Sequence, residues 1–119
     1  MRIAIATQRR EALAAFGQGL VARGVEVEWL PGIREAIALA RGAAWGMLIQ
    51  DDPCGTFRED LSDLMEANPF LHTAVMTDLA PEAFHEASEG LGVLCALPTG
   101  PGPEDAEALI GKLKGVGAL

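Results

Sequence analysis

Apolar positions along the chain switch repeatedly between two periods. Arg2–Ala6 (RIAIA) is a short run of β type. Leu13, Phe16 and Leu20 then fall on one helical stripe, and Gly24 stands where a helix-ending glycine belongs. Val25–Leu30 (VEVEWL) alternates strictly, as a half-buried strand does. Ile33, Ala36, Ile37 and Ala40 predict a second helix, stopped by Gly42. Gly46–Gln50 is a buried-strand run, and Asp51-Asp52-Pro53-Cys54-Gly55 is a turn cluster. Phe57, Leu61, Leu64 and Met65 form a third helical stripe that ends near Asn68-Pro69, and Thr73–Met76 is a fourth strand. Pro81 opens a fourth helix with Phe84 and Ala87 inward, and Val93–Leu97 is a fifth strand. After the stiff connector Gly100-Pro101-Gly102-Pro103, a last helix buries Ala106, Leu109, Ile110 and Leu113. Its early acids and its late Lys112 and Lys114 both suit the helix dipole.

Strand and helix thus alternate five times, with no repeat or linker, so residues 1–119 read as one domain. Alternation at this spacing predicts an α/β protein, a parallel sheet covered by helices on both faces. Right-handed crossovers leave few topologies, and the simplest is the doubly wound, flavodoxin-like order 2-1-3-4-5. Helices 1 and 5 are expected on one face and helices 2 to 4 on the other. Strands 1, 3, 4 and 5 are expected to be buried, and strand 2 to be an edge with Glu26 and Glu28 outward.

Composition narrows the function classes. Hydrophobic residues make up 50% and charged residues 22%, which excludes intrinsic disorder. No apolar run approaches the roughly 18 residues that span a membrane, and Arg9 and Arg10 follow the start too soon for a signal peptide. Cys54 and Cys95 are not a disulfide framework. These features predict a soluble, cytoplasmic protein. The net charge of −8 is unevenly spread. Residues 1–41 hold six Arg against four Glu, while residues 51–107 hold thirteen acids against Arg58 alone. Such a field repels nucleic acid, whose binding needs clustered Lys and Arg. It solubilises, or it selects a basic partner protein. Seven Arg against two Lys, with much Ala and Gly, suggests a GC-rich bacterial genome.

In doubly wound sheets functional groups collect at the carboxyl ends of strands. Those ends are Thr7-Gln8, Asp51-Asp52, Thr77-Asp78 and Pro98-Thr99. Five βα units in 119 residues, Thr77 ending strand 4 and Pro98 straight after strand 5 resemble the receiver domain of bacterial response regulators, the CheY-like fold. The resemblance covers essentially the whole chain. It implies an acidic pair after strand 1 that holds Mg²⁺, and an aspartate phosphoacceptor ending strand 3. It further implies a Thr or Ser ending strand 4, a Lys before the strand 5 proline, and an aromatic switch residue on strand 5. Thr77 and Pro98 match this pattern, while Thr7 and Gln8 replace the acids, Leu97 the lysine and Cys95 the aromatic. Neither Thr7 nor Gln8 brings charge to a metal, and Leu97 cannot balance a phosphoryl dianion. The chain therefore resembles a degenerate receiver, a pseudo-receiver.

The phosphoacceptor position is open. Counting from the apolar run Met47–Gln50 gives Asp51, Asp52 is a further choice, and counting back from Pro53 gives Ile49. Both aspartates equally suit a polar turn that caps the next helix. Asp51, Asp52 and Asp78 leave room for weak Mg²⁺ binding if they converge. Phosphate-cradling glycine motifs are absent, so nucleotide and flavin binding are disfavoured. Arg9 and Arg10 at a helix start read as solvated, His72 as a residue before strand 4, and His85 as a surface partner of Glu82 and Glu89. Cys54 reads as a partly exposed thiol, Cys95 as a buried one, and Trp29 and Trp45 as packing residues. No zinc spacing occurs.

The expected function is that of a stand-alone, non-catalytic interaction module in bacterial signalling. It has no output domain after the fifth helix, no cofactor, and a protein partner. The alternatives are a phosphorylatable receiver using Asp51, and a small ligand-binding protein or enzyme on the same fold. The face formed by helix 4, strand 5 and helix 5 carries Glu82, Glu86 and Glu89, then Glu104, Asp105 and Glu107, with Lys112 and Lys114. Its mixed charge predicts a monomer or a weak, salt-sensitive homodimer through this face, with acidic helix 4 free for a basic partner.

Overall fold

A computed structural model describes residues 1–53 and 55–119. The chain runs β1 (Arg2–Ala6), α1 (Ala14–Ala22), β2 (Glu26–Leu30), α2 (Ile33–Ala40), β3 (Met47–Asp51), α3 (Phe57–Ala67), β4 (His72–Met76), α4 (Pro81–Ser88), β5 (Cys95–Leu97) and α5 (Pro103–Gly115). All strand pairs are parallel, and the order is β2-β1-β3-β4-β5, as the alternation predicts.

The period-2 side-chain rule splits the sheet residues between two cores. Ile3, Ile5, Met47, Ile49, Ala74 and Met76 pack against Phe16 and Leu20 of α1 and Leu109 and Leu113 of α5. Ala4, Ala6, Leu48 and Val75 pack against Ala36 of α2, Leu61 and Leu64 of α3, and Phe84 of α4. Helices 1 and 5 thus share one face and helices 2 to 4 the other. The predicted inner face of α5 is buried in full. Trp45 is core, as expected, and its indole N–H donates to Glu28 at 3.1 Å.

β2 is an edge strand, with Glu26 exposed and Glu28 half-buried. Arg2 pairs with both, at 2.9 and 3.8 Å. Three expectations need correction. β5 is three residues long, the other edge, and mostly uncovered, because Val93 and Leu94 lie before the regular ladder; Leu94 N–H donates to Thr73 O at 2.8 Å, yet pairing starts at Cys95. Cys95 is accordingly half-buried rather than buried; what burial it has pushes the thiol pKa up, with Lys112 opposing. His72 is the first residue of β4. Cys54 lies outside the described residues.

A buried polar cluster fastens β3 to α3. Asp60, 5% exposed, accepts from Gln50 Nε2 at 2.8 Å, Thr56 Oγ1 at 2.9 Å and Arg34 at 3.0 Å. Arg34 also pairs with Asp63 at 2.9 Å. Gln50 is 2% exposed, and its Oε1 has no partner among the described residues. Leaving a buried amide unpaired costs about 1–3 kcal/mol, more where a charge is involved. Asp60→Ala should therefore lower stability by about 2–4 kcal/mol in urea unfolding. Adding Gln50→Leu should recover part of that loss, because the stranded amide goes with it. Simple addition of two losses would show that the cluster is not coupled.

Candidate functional site

The strand register brings the carboxyl ends together. Ala6 is level with Gln50, Asp51 with Met76, and Met76 with Leu97. The residues that follow, Thr7, Asp52, Thr77 and Pro98, therefore share one rim of the sheet. Thr7 N–H donates to Leu30 O at 2.9 Å, Asp52 N–H to Met76 O at 3.1 Å, and Thr77 N–H to Leu97 O at 3.0 Å, which continues the ladder into the loops.

Asp51 is the last residue of β3, and its side chain is only 3% exposed. Its carboxylate is held from two sides. Arg9 grips it in a fork, with Nε donating to Oδ2 at 2.8 Å and Nη2 to Oδ1 at 2.7 Å. Thr7 Oγ1 donates to the same Oδ2 at 2.7 Å and accepts the Arg9 backbone N–H at 2.8 Å. The Thr7 hydroxyl thus turns the loop so that Arg9 points back over the rim. Planar guanidinium and carboxylate are matched in this geometry, which makes it one of the stronger charge-assisted contacts. The hydrogen bonds to Asp51 raise the Arg9 pKa; desolvation works against this, and the charges of Asp51 and Asp78 add to the rise.

Asp52 has a different task. Its Oδ1 accepts Thr56 N–H at 2.9 Å and its Oδ2 accepts Phe57 N–H at 3.3 Å, which satisfies the first turn of α3. The capping reading therefore holds for Asp52 and fails for Asp51. Ile49, the position reached by counting back from Pro53, is wholly buried in the α1–α5 core. Thr77 Oγ1 accepts Leu79 N–H at 3.2 Å, and Thr99 Oγ1 donates to Asp78 at 2.8 Å. Leu97 is buried beneath the rim and Pro98 is exposed.

These residues line two shallow clefts of ≈ 330 Å³ each, which share Pro53. One holds Thr7, Gln8, Arg9 and Asp51; the other holds Asp52, Thr77, Asp78 and Thr99. Arg9, which the sequence reads as solvated, lines the first cleft. Charge balance is the usable signal: an aspartate ending a central strand, with no lysine at the neighbouring strand ends, needs a cation, and Arg9 is the first one past Thr7.

Mg²⁺ does not fit this donor set. It demands several hard oxygen ligands in octahedral array. Thr7 and Gln8 are neutral, Asp51 is already neutralised by Arg9, and Asp52 is turned to α3. Among the described residues no group of three His, Cys, Asp or Glu side chains is placed to hold a metal.

The fold is that of CheY-like response-regulator receiver domains. A response regulator from Thermotoga maritima superposes with a TM-score of 0.82 at 16% identity, over 95% of this chain and 97% of that one. The chemotaxis response regulator CheY4 of Vibrio cholerae gives 0.79 at 19%, over 94% and 97%. A CheY-like protein, TadZ, from Pseudomonas aeruginosa gives 0.73 at 20%, over 97% and 94%. The sequence matches no protein-family model and no curated relative. No helix among the described residues is long and apolar enough to cross a membrane.

The clamp has a measurable weight. Arg9→Ala leaves Asp51 buried with the Thr7 hydroxyl as its remaining donor, and should cost about 2 kcal/mol in urea unfolding at neutral pH. That is below the figure for a fully buried pair, because Arg9 is 37% exposed. Arg9→Lys, which keeps charge but loses the fork, and Thr7→Val should each cost about 1 kcal/mol. An Arg9→Ala variant as stable as the parent would refute the clamp.

Proposed function

We propose that this chain is a receiver-fold interaction module that works without phosphotransfer, acting in bacterial signalling in the cytoplasm through a protein partner. One observation carries this reading: both oxygens of Asp51, the first candidate phosphoacceptor in the sequence, accept hydrogen bonds from Arg9 and Thr7.

Phosphotransfer to a carboxylate is mainly positioning and charge neutralisation. The nucleophilic oxygen must be free, a mobile cation must bridge it to the donor, and a fixed cation must receive the phosphoryl charge. In this rim the oxygens accept three donors, the cation is tethered by the chain itself, and Leu97 stands at the lysine position. Arg9 supplies from within the chain the positive charge that a dissociable ion would otherwise bring to Asp51.

What remains for function is surface. Glu82 and Glu86 on α4, and Glu89 just after it, are exposed and unpaired among the described residues. Arg58 fixes the end of that helix by donating to Ala87 O. This rigid acidic ridge suits a basic partner, with charge setting encounter rate and selectivity more than affinity.

Incubation of the protein with acetyl phosphate and Mg²⁺ should leave its intact mass unchanged. A stable gain of one phosphoryl group, lost in Asp51→Asn, would overturn this reading in favour of a phosphorylatable receiver.

A further inference from the structure

α4 has little of its own to hold it in place. It buries one side chain, Phe84, where α3 and α5 bury four each. Phe84 meets Phe57 at the start of α3, with ring centres 5.5 Å apart. Pro81 opens the helix, but the residue before it is Ala80, whose side chain cannot accept the free first-turn N–H groups. The other end is matched less well. Glu86 and Glu89 stand at the carboxyl end of α4, where the helix dipole is already negative and a cation belongs. α5 brings Lys112 and Lys114 to that position, while the last turn of α4 has only His85. Gly90 and Gly92, at φ 82° and 65°, then turn the chain toward β5.

The missing cation comes from α3. Arg58 is the single base in residues 51–107, which hold thirteen acids, yet it pairs with no carboxylate among the described residues. Its guanidinium reaches across to the end of α4 instead. Nη1 donates to Ala87 O and lies 3.5 Å from Glu89 O. One side chain thus takes a carbonyl that the last turn leaves open and sets positive charge at the negative end of the dipole.

We propose that Arg58 is a latch: α4 opens as a unit of its own while the rest of the domain stays folded, and Arg58 holds it shut against α3. Opening α4 gives up one buried aromatic contact and one charged hydrogen bond, whereas opening β1 or β3 takes apart both cores. Separate opening belongs to segments with few buried apolar contacts. Glu82 and Glu86 ride on α4, so the latch sets the orientation of the acidic ridge. It does not depend on the ridge having a partner, and the latch and the interaction role can fail separately.

Amide hydrogen exchange of the full chain, read residue by residue in urea below the unfolding midpoint, tests this. In the wild type, His85–Ser88 should exchange at least about tenfold faster than β1 and β3, with a weaker dependence on urea because less surface is exposed. Arg58→Ala should speed exchange in α4 by about a further tenfold, and Arg58→Lys, which keeps the cation, should restore part of the protection. Ile110→Val removes a methyl group from the α1–α5 core, which stays intact when α4 opens. It should therefore speed β1 and β3 and leave α4 unchanged. α4 amides that exchange together with the central strands in the wild type would overturn the proposal. So would α4 amides that follow Ile110→Val, an Arg58→Ala variant with unaltered exchange in α4, or an Arg58→Lys variant no better protected than Arg58→Ala.

Discussion

A carboxylate that leaves water must take a counter-charge with it, and β3 ends on one. Asp51 sits at the rim of a central strand with its side chain almost wholly enclosed. Ionised and alone there, it would cost several kcal/mol. The loop after β1 meets that demand. Thr7 hydrogen-bonds both the carboxylate and the Arg9 amide, the chain turns, and the guanidinium closes on Asp51 across 42 positions of sequence. The path of the β1–α1 loop, the neutrality of the first cleft and the poor fit for a divalent ion all follow from this one requirement.

The neighbouring aspartate shows how position decides role. Asp52 is one residue further on, yet it faces the start of α3 and spends its lone pairs on backbone amides. Below it, Asp60 gathers Gln50, Thr56 and Arg34 on the other core. Three carboxylates within ten residues thus serve as an ion-pair partner, a helix cap and a buried cross-brace. Their surroundings, rather than their chemistry, separate them.

Much of the architecture was legible in the sequence because sheet burial and helix amphipathicity leave periodic traces. VEVEWL alternates because one edge strand faces water, and the α5 stripe is apolar because one side faces the sheet. Those traces are local. β5 was overestimated because Val93–Leu97 is a uniform apolar run, and such a run does not say where its ladder begins or whether it lies at an edge. Arg9 was missed for the same reason. An arginine pair at a helix start reads as solvated whether or not one side chain folds back, and the contact that recruits it is made by a residue far along the chain.

The tethered cation also shapes the routes by which such a domain can change. Removing Arg9 alone strands a buried negative charge. Adding acids at Thr7 and Gln8 alone crowds like charges beside Asp51. Placing lysine at Leu97 alone puts an amine on a strand position whose side chain is buried. Each single step toward a metal-dependent rim passes through a less stable protein, and only the combination keeps the charges balanced. An internal ion pair is in this sense a ratchet: a few contacts of ordinary strength are enough to make one charge arrangement hard to exchange for another.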